Sequence, residues 1–418
     1  MSMRNGLPLR CRFAATALVF ACFIVLTSGQ SGDGAQRYDL DDGRQWLESG
    51  ADLTTSSPAL LRGAVATAFN EMATAESLLR GVIQSDPRSD AASQAHELLS
   101  RIYLRSGQYK RLIENLDRWA KSFPNRREVQ NERADVEQFR GLPDQINGPR
   151  RGSTLPHDAG DDFSVPFLIN GKSATYLLDT GAWVSVMTEL EAARLGLAIR
   201  AGTGTLGDPS GKGVKVRTAV AKEVTLGSMR FRNVSFAILP NDEPWKSMPP
   251  GHGGILGMPV LLAVGRVQWS NGGTWKLGGR PEPRDGGSRN VVFSENHLLL
   301  AANVSGNRVF GTLDTGAVTT DLNNNFATQF AALIQRSGTK ETRDITGLGG
   351  TVSVDAVTLP EIVFDISGVQ AALRPAAVTL QRTSAIGGNC CVGNFGRDLL
   401  TQTGEFTLDL SAMTLHLQ

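Results

Sequence analysis

The sequence predicts a multidomain α + all-β chain: an N-terminal helical-hairpin domain, then two duplicated β-barrel-like lobes. Three observations carry this. Residues 56–140 are rich in Ala, Leu, Arg and Glu, contain only three glycines (63, 81 and 107) and place apolar residues at helical spacing. From about residue 161 the period changes to two, with turn residues between apolar runs. Finally, Leu177-Leu178-Asp179-Thr180-Gly181-Ala182 returns as Thr312-Leu313-Asp314-Thr315-Gly316-Ala317, the aspartates 135 positions apart. Two further markers repeat in the same order. Val224-Thr225-Leu226 recurs as Val357-Thr358-Leu359, and Ile255-Leu256-Gly257 recurs as Cys391-Val392-Gly393. A duplicated domain follows.

Composition agrees. The 46 glycines among 418 residues exceed the usual share and favour turn-rich β structure. The formal net charge of +1 gives no electrostatic basis for binding nucleic acid.

Residues 1–29 read as a signal peptide. Arg4, Arg10 and Arg12 precede an apolar run, Phe13 to Thr27, with a small-residue end at Thr27-Ser28-Gly29. The run is short against the roughly 20 residues a spanning helix needs. The protein is therefore expected to be secreted or periplasmic. The alternative is an uncleaved anchor facing the periplasm, the one case in which the chain meets a membrane. Phe20 is too bulky for a lipoprotein signal at Cys22. Residues 30–55, with Asp39, Asp41, Asp42 and Gly43, lack the spacing of a calcium loop and read as a flexible leader.

The helical domain spans 56–140. Leu99, Tyr103, Gly107, Tyr109, Leu112, Leu116, Trp119 and Pro124 resemble a tetratricopeptide helix pair. Gly63, Ala66, Ala75, Leu79, Val82 and Pro87 fit the same register upstream. A further helix is expected around Val129 to Phe139. Such repeats imply a docking surface for a protein partner; an ordinary helical bundle fits the same pattern. Gly141, Pro143, Gly148, Pro149, Gly152 and Pro156 make 141–160 a linker without regular structure. Arg150-Arg151 within it reads as a solvated pair, with a processing site as the alternative.

The first lobe, 161–278, opens with Phe163 to Ile169, a turn at Asn170-Gly171, and a strand from Ala174 into Asp179. A short helix is expected from Thr188 to Leu197. The glycine-rich stretches 202–213 and 346–351 sit at matching places in the two lobes. No strand-to-helix Gly-Lys-Ser/Thr context follows them, so they cradle no phosphate. Residues 279–289 are the interlobe linker and 290–418 the second lobe. Beyond the leader the cysteines are Cys390 and Cys391, read as buried free thiols in preference to a strained vicinal disulfide. Neither they nor the five histidines have metal-ligand spacing, and no cofactor is implied.

Two aspartates at the ends of apolar strands suggest paired carboxylates. At about 3 Å they would repel by roughly 5 kcal/mol at an effective dielectric near 20, so the pair holds one proton between them. One carboxylate can take a proton from water while the other polarises a carbonyl. Thr180 and Thr315 offer hydroxyls that can bond across the pair. Gly181 and Gly316 let backbone N–H groups approach.

These motifs resemble the aspartic peptidases, pepsin-like and retropepsin-like, over about residue 161 to the C-terminus. The resemblance implies an aspartic endopeptidase with Asp179 and Asp314 as its dyad, Thr180, Gly181, Thr315 and Gly316 supporting it, and a peptide or protein as substrate. The sequence departs from the family after the motifs, where Trp183-Val184 and Val318-Thr319 stand, and no Tyr follows Tyr176. Trp183 is expected either to face the cleft or to pack beneath the lobe. The reading from another class is an inert peptide-binding scaffold; a third makes the helical segment a pro-segment. Because Ala182 and Ala317 offer no hydroxyl, the dyad is expected to hold its proton to higher pH, with an optimum of about 5 to 6.5. With both motifs in one chain, the catalytic species should elute at monomer mass in gel filtration. Activity confined to a dimer and lost on dilution would contradict that.

Overall fold

Helical periodicity before residue 140 becomes a run of helices joined by short turns: Ala59–Ala68, Met72–Ser85, Asp90–Arg105, Tyr109–Ser122 and Arg127–Val136, followed by a 3-10 turn, Glu137–Phe139. The computed structural model describes residues 39–49, 54–202, 204–206, 214–242, 245–280, 289–347, 350–380 and 390–418. The signal segment, leader residues 30–38, glycine-rich residues 207–213 and 348–349, most of the 279–289 linker and residues 381–389 lie outside them.

In the helix Tyr109–Ser122, Tyr109, Leu112, Ile113, Leu116 and Trp119 are buried on one face. Its register against Asp90–Arg105 is fixed by polar bonds. Trp119 Nε1 donates to Ser93 Oγ at 2.8 Å, and Asn115 Nδ2 donates to the His96 carbonyl at 2.8 Å and to Ser100 Oγ at 3.1 Å. Each of these groups is buried, and the bonds remove the cost of burying it. Gly63 lets the first two helices close together, since a Cβ there would lie 2.6 Å from Leu79 Cδ2. Ser89 caps the helix that follows, accepting from Ala92 N.

The leader is not wholly flexible, contrary to the sequence expectation. Arg44–Ser49 is a helix whose Trp46 is 2% exposed. The Asp41 carbonyl accepts from Ser294 Oγ and Glu295 N, and its carboxylate pairs with Arg101 at 3.1 Å. Arg44 Nη1 donates to the Cys390 carbonyl at 2.6 Å. The acidic residues that suggested a solvated tail are holding partners far along the chain. Nearby, buried Arg105 stacks on the Phe293 ring at 4.1 Å, and burial pushes its pKa down to about 9.

The first sheet runs in the order Ile146–Asn147, Met229–Leu239, Ser185–Thr188, Gly254–Leu256, Lys172–Leu178, Ser164–Ile169, Val214–Leu226, Gly204–Leu206. Met229–Leu239 also pairs with Val214–Leu226, which closes the sheet into a barrel. Asn170 (φ 50°) and Gly171 (φ 80°) form the tight turn between the strands that lead to Asp179. Ser305 (φ 50°) and Gly306 (φ 77°) repeat it before Asp314. The expected short helix is Glu189–Leu195, capped by Thr188 and ended by Gly196 at φ 72°.

The second sheet contains Val291–Ser294, His297–Val304, Asn307–Leu313 and their neighbours through Ala376–Thr379 and Gly393–Phe395. A third sheet joins both halves: Ser153–Pro156, Thr274–Leu277, Arg266–Ser270, Glu405–Asp409, Thr414–Leu417. Residues 141–160 therefore supply strands to two sheets and are not a structureless linker. Pro156 is tolerated because Ser153–Pro156 is an edge strand. Phe163, Trp269, Trp275 and Phe406 pack together against this sheet.

Trp46→Ala removes a fully packed indole and should lower unfolding stability by about 3 kcal/mol. Denaturant unfolding of the full chain measures this. Unchanged stability would mean that the leader does not dock.

Candidate active site

Both motif loops begin where a buried strand parts from a parallel neighbour. Lys172–Leu178 runs parallel to Gly254–Leu256, and Asn307–Leu313 parallel to Gly393–Phe395. The aspartate amides still bond to those neighbours: Asp179 N donates to the Leu256 carbonyl and Asp314 N to the Phe395 carbonyl, both at 3.0 Å. The chain then turns, and the two loops meet.

Four reciprocal bonds lock them. Thr180 Oγ1 donates to the Leu313 carbonyl at 2.7 Å and accepts from Thr315 N at 3.0 Å. Thr315 Oγ1 donates to the Leu178 carbonyl at 2.6 Å and accepts from Thr180 N at 3.0 Å. All of this is buried, and each hydroxyl uses its one proton and a lone pair. The sequence placed these hydroxyls across the carboxylates; they instead span the two backbones.

The glycines are set by the opposite aspartate. A Cβ on Gly181 would lie 2.6 Å from Asp314 Cγ, and one on Gly316 would lie 2.5 Å from Asp179 Oδ2. Their amides bond to the nearer carboxylate, Gly181 N to Asp179 Oδ1 at 2.7 Å and Gly316 N to Asp314 Oδ1 at 2.8 Å. Asp179 and Asp314 thus face each other, each carboxyl lying against the glycine of the opposite loop. Burial, then the charge of Asp314, holds the Asp179 carboxyl well above the usual carboxylate range, against the amides of Gly181 and Ala182 that lower it. Among the described residues no group of three or more His, Cys, Asp or Glu could hold a metal.

The repeat markers downstream need correcting. Strand pairing sets Ile255 opposite Leu177 but Asn394 opposite Thr312. The partner of Ile255-Leu256-Gly257 is thus Asn394-Phe395-Gly396, 139 positions on, and not Cys391-Val392-Gly393. Backbone contacts agree. A Cβ on Gly257 would meet the Ala182 and Val184 carbonyls, and one on Gly396 those of Ala317 and Thr319. The third marker shifts as well: Leu168 pairs with Thr225, and its counterpart Asn303 pairs with Asp365, not with Thr358.

This correction exposes residues that sequence reasoning missed. Asn394 Nδ2 donates to Asp314 Oδ2 at 2.6 Å. Ala182 and Ala317 offer no hydroxyl, as the sequence reading has it, but Asp314 receives a side-chain donor from another strand. Arg397 Nε donates to the Thr315 carbonyl at 2.8 Å, while its Nη1 pairs with Asp161 at 2.8 Å. Gly396, followed by Leu399-Leu400 as Gly257 is by Val260-Leu261, was the visible sign of the true register.

Trp183 is half-buried, edge-on to Phe139 of the helical region with ring centroids 6.0 Å apart; Phe139 in turn stacks on Tyr109. At the matching place after the second motif, Val318 is 68% exposed. Cys390 and Cys391 are disulfide-bonded, contrary to the expected free thiols. Asn323 and Asn325 donate to the Cys391 carbonyl.

Residues 165–260 match the family model described as aspartyl protease. Among solved structures, a retropepsin-like aspartic protease from Rickettsia conorii is 15% identical, covering 32% of this chain and 92% of that one, with a TM-score of 0.23. No curated protein matches the chain. The family match supports an aspartic protease, and so a peptidase among the hydrolases.

Thr180→Val leaves the Leu313 carbonyl and the Thr315 amide without their partner and should cost about 2–6 kcal/mol, two unsatisfied groups at 1–3 each. Thr180→Ser, which keeps the hydroxyl, should cost less than 1. Denaturant unfolding compares them; a valine variant as stable as wild type would break the account of the loop lock.

Proposed function

We propose that the chain is an aspartic endopeptidase of the retropepsin-like kind in which water, held between Asp179 and Asp314, attacks a peptide carbonyl. The observation that supports it most is the facing of the two carboxyls, each set against the glycine of the opposite loop; burial and its neighbour's charge raise the Asp179 carboxyl above the usual range, which favours one proton shared by the pair. The ionised carboxylate takes a proton from water, whose oxygen bonds to the carbonyl carbon. The protonated carboxyl gives its proton to the carbonyl oxygen, and a tetrahedral diol results. Its collapse breaks the C–N bond and sends a proton to the leaving nitrogen. No metal is needed, because the dyad itself activates the water.

One aspartate comes from each lobe, so a single chain completes the site. Cleft cover would come from the hairpins built on Val214–Leu226 and on Thr339–Gly347 with Gly350–Leu359. The substrate is a peptide or protein, and the setting proposed from the N-terminal segment is secreted or periplasmic. The helical repeats are proposed as a docking module; Phe139, in the turn that follows them, packs on Trp183.

Asp179→Asn and Asp314→Asn should each remove nearly all hydrolysis of a peptide library while the chain stays folded, since the members of such a pair act as a unit. A single variant keeping most of its activity would reject the proposal and favour an inert peptide-binding cleft.

The pH profile follows from the raised Asp179 carboxyl. Its proton is required, and it is lost only as pH rises through that raised value. kcat/KM should therefore remain high well above the usual carboxylate range and fall on the alkaline side. A profile already falling near pH 4 would contradict this.

A further inference from the structure

We propose that Asn394 is a positioning residue that fixes the dyad's negative charge on Asp314 and leaves the proton on Asp179. This rests on the peptidase reading above and gives the two aspartates different roles: Asp314 as the base toward water, Asp179 as the acid toward the carbonyl oxygen.

The loops themselves are close to symmetric. Each aspartate accepts from the glycine two residues on, and each threonine bonds across to the other side. Asn394 breaks that symmetry. Its amide meets Asp314 Oδ2 at 2.6 Å, the oxygen not already taken by Gly316 N and Ala317 N, which both bond to Oδ1. The corresponding residue beside Asp179 is Ile255, which has no donor.

The amide's orientation is also held. Thr312 Oγ1 donates to Asn394 Oδ1 at 2.5 Å, a shorter contact than its second acceptor, the Gly393 carbonyl at 3.4 Å, and Nδ2 is the amide atom turned to Asp314. Turned over, the amide would set its own oxygen against a carboxylate oxygen, an arrangement that suits only a protonated Asp314. A donor aimed at the charged form of a carboxylate favours that form.

The charged groups around Asp314 do not supply this asymmetry. Asp321 stands opposite Asn394 on the adjoining strand and pairs with Arg343 at 2.7 Å. Arg397 is paired with Asp161, and Asp398 accepts from Thr320 N and Oγ1. Asp179 faces Asp314 directly. Both arginines already have carboxylate partners, which leaves the neutral amide as the side-chain donor on Oδ2. Burial and the adjacent Asp314 charge hold the Asp179 proton in place, in keeping with this division.

The test is the pH dependence of kcat/KM for wild type, Asn394→Leu and Thr312→Val, read beside a carbon-13 NMR titration of the two aspartate carboxyls. Asn394→Leu keeps the side chain's branching at Cγ but removes the donor. Its acidic limb should move up by about one pH unit, which is about a tenfold loss on the acidic side with a smaller loss at the optimum. Thr312→Val frees the amide to turn and should move the limb the same way by less. In the wild-type NMR titration Asp314 should ionise first, and in Asn394→Leu the two carboxyls should converge.

A uniform drop in kcat/KM with both limbs fixed would reduce Asn394 to a packing residue and overturn the proposal, as would Asp179 ionising first. If Asn394→Leu fails to fold, the wild-type order of ionisation and the Thr312→Val limb still decide. If folded wild type cleaves no peptide at any pH, the peptidase reading fails, while the NMR order still accepts or rejects the charge assignment.

Discussion

Two carboxyl groups that repel when both are charged are held against each other in a largely buried place, and the surrounding structure is arranged around that constraint. The aspartates cannot hold themselves there. The work falls to Thr180 and Thr315, whose hydroxyls tie each loop to the backbone of the other. Each loop hangs from a strand that is itself paired in parallel with a later segment, so the lock extends into both sheets. The glycines follow from the same constraint, because any side chain at 181 or 316 would collide with the opposite carboxyl. One proton shared by the aspartates would relieve the repulsion, and in the proposed peptidase reading that proton supplies the chemistry.

The halves are joined beyond the loops as well. The third sheet draws strands from residues 153–156, from 266–277 and from the C-terminal stretch, with Trp269 set opposite Phe406. Arg397 reaches from the second half to Asp161 of the first. The helical region is part of this body. Asn70 Nδ2 donates to the Leu410 carbonyl, Arg289 stacks on Phe69, and Phe139 rests against Trp183, four residues beyond Asp179. One side of the site is therefore bordered by a helical element, while the other presents Val318 to solvent.

The motif loops could be read from the sequence because they demand particular residues: a carboxylate, a hydroxyl, and a position with no Cβ. The turns at Asn170-Gly171 and the helix capped by Thr188 were legible for the same reason, since backbone geometry there selects the residue type. The rest of the repeat was misaligned. The offset grows from 135 at the aspartates to 139 or 140 downstream, and apolar triplets such as Cys391-Val392-Gly393 are too common to reveal the slip. Asn394 stayed hidden because it stands where the first half has an isoleucine. The docked leader and the strands of 141–160 were missed for another reason: their partners, among them Arg101, Ser294 and Thr274, lie far away in sequence.

The central claim is that one chain assembles one site from two different loops, and mixing two crippled proteins tests it most directly. Asp179→Asn and Asp314→Asn protein, each purified and folded, are combined in equal amounts and assayed for peptide hydrolysis across pH. If the dyad forms within a chain, every molecule in the mixture lacks one aspartate, and activity stays at the level of the separate variants. Recovery of a substantial fraction of wild-type activity on mixing would mean that aspartates from different chains meet, and would contradict the account.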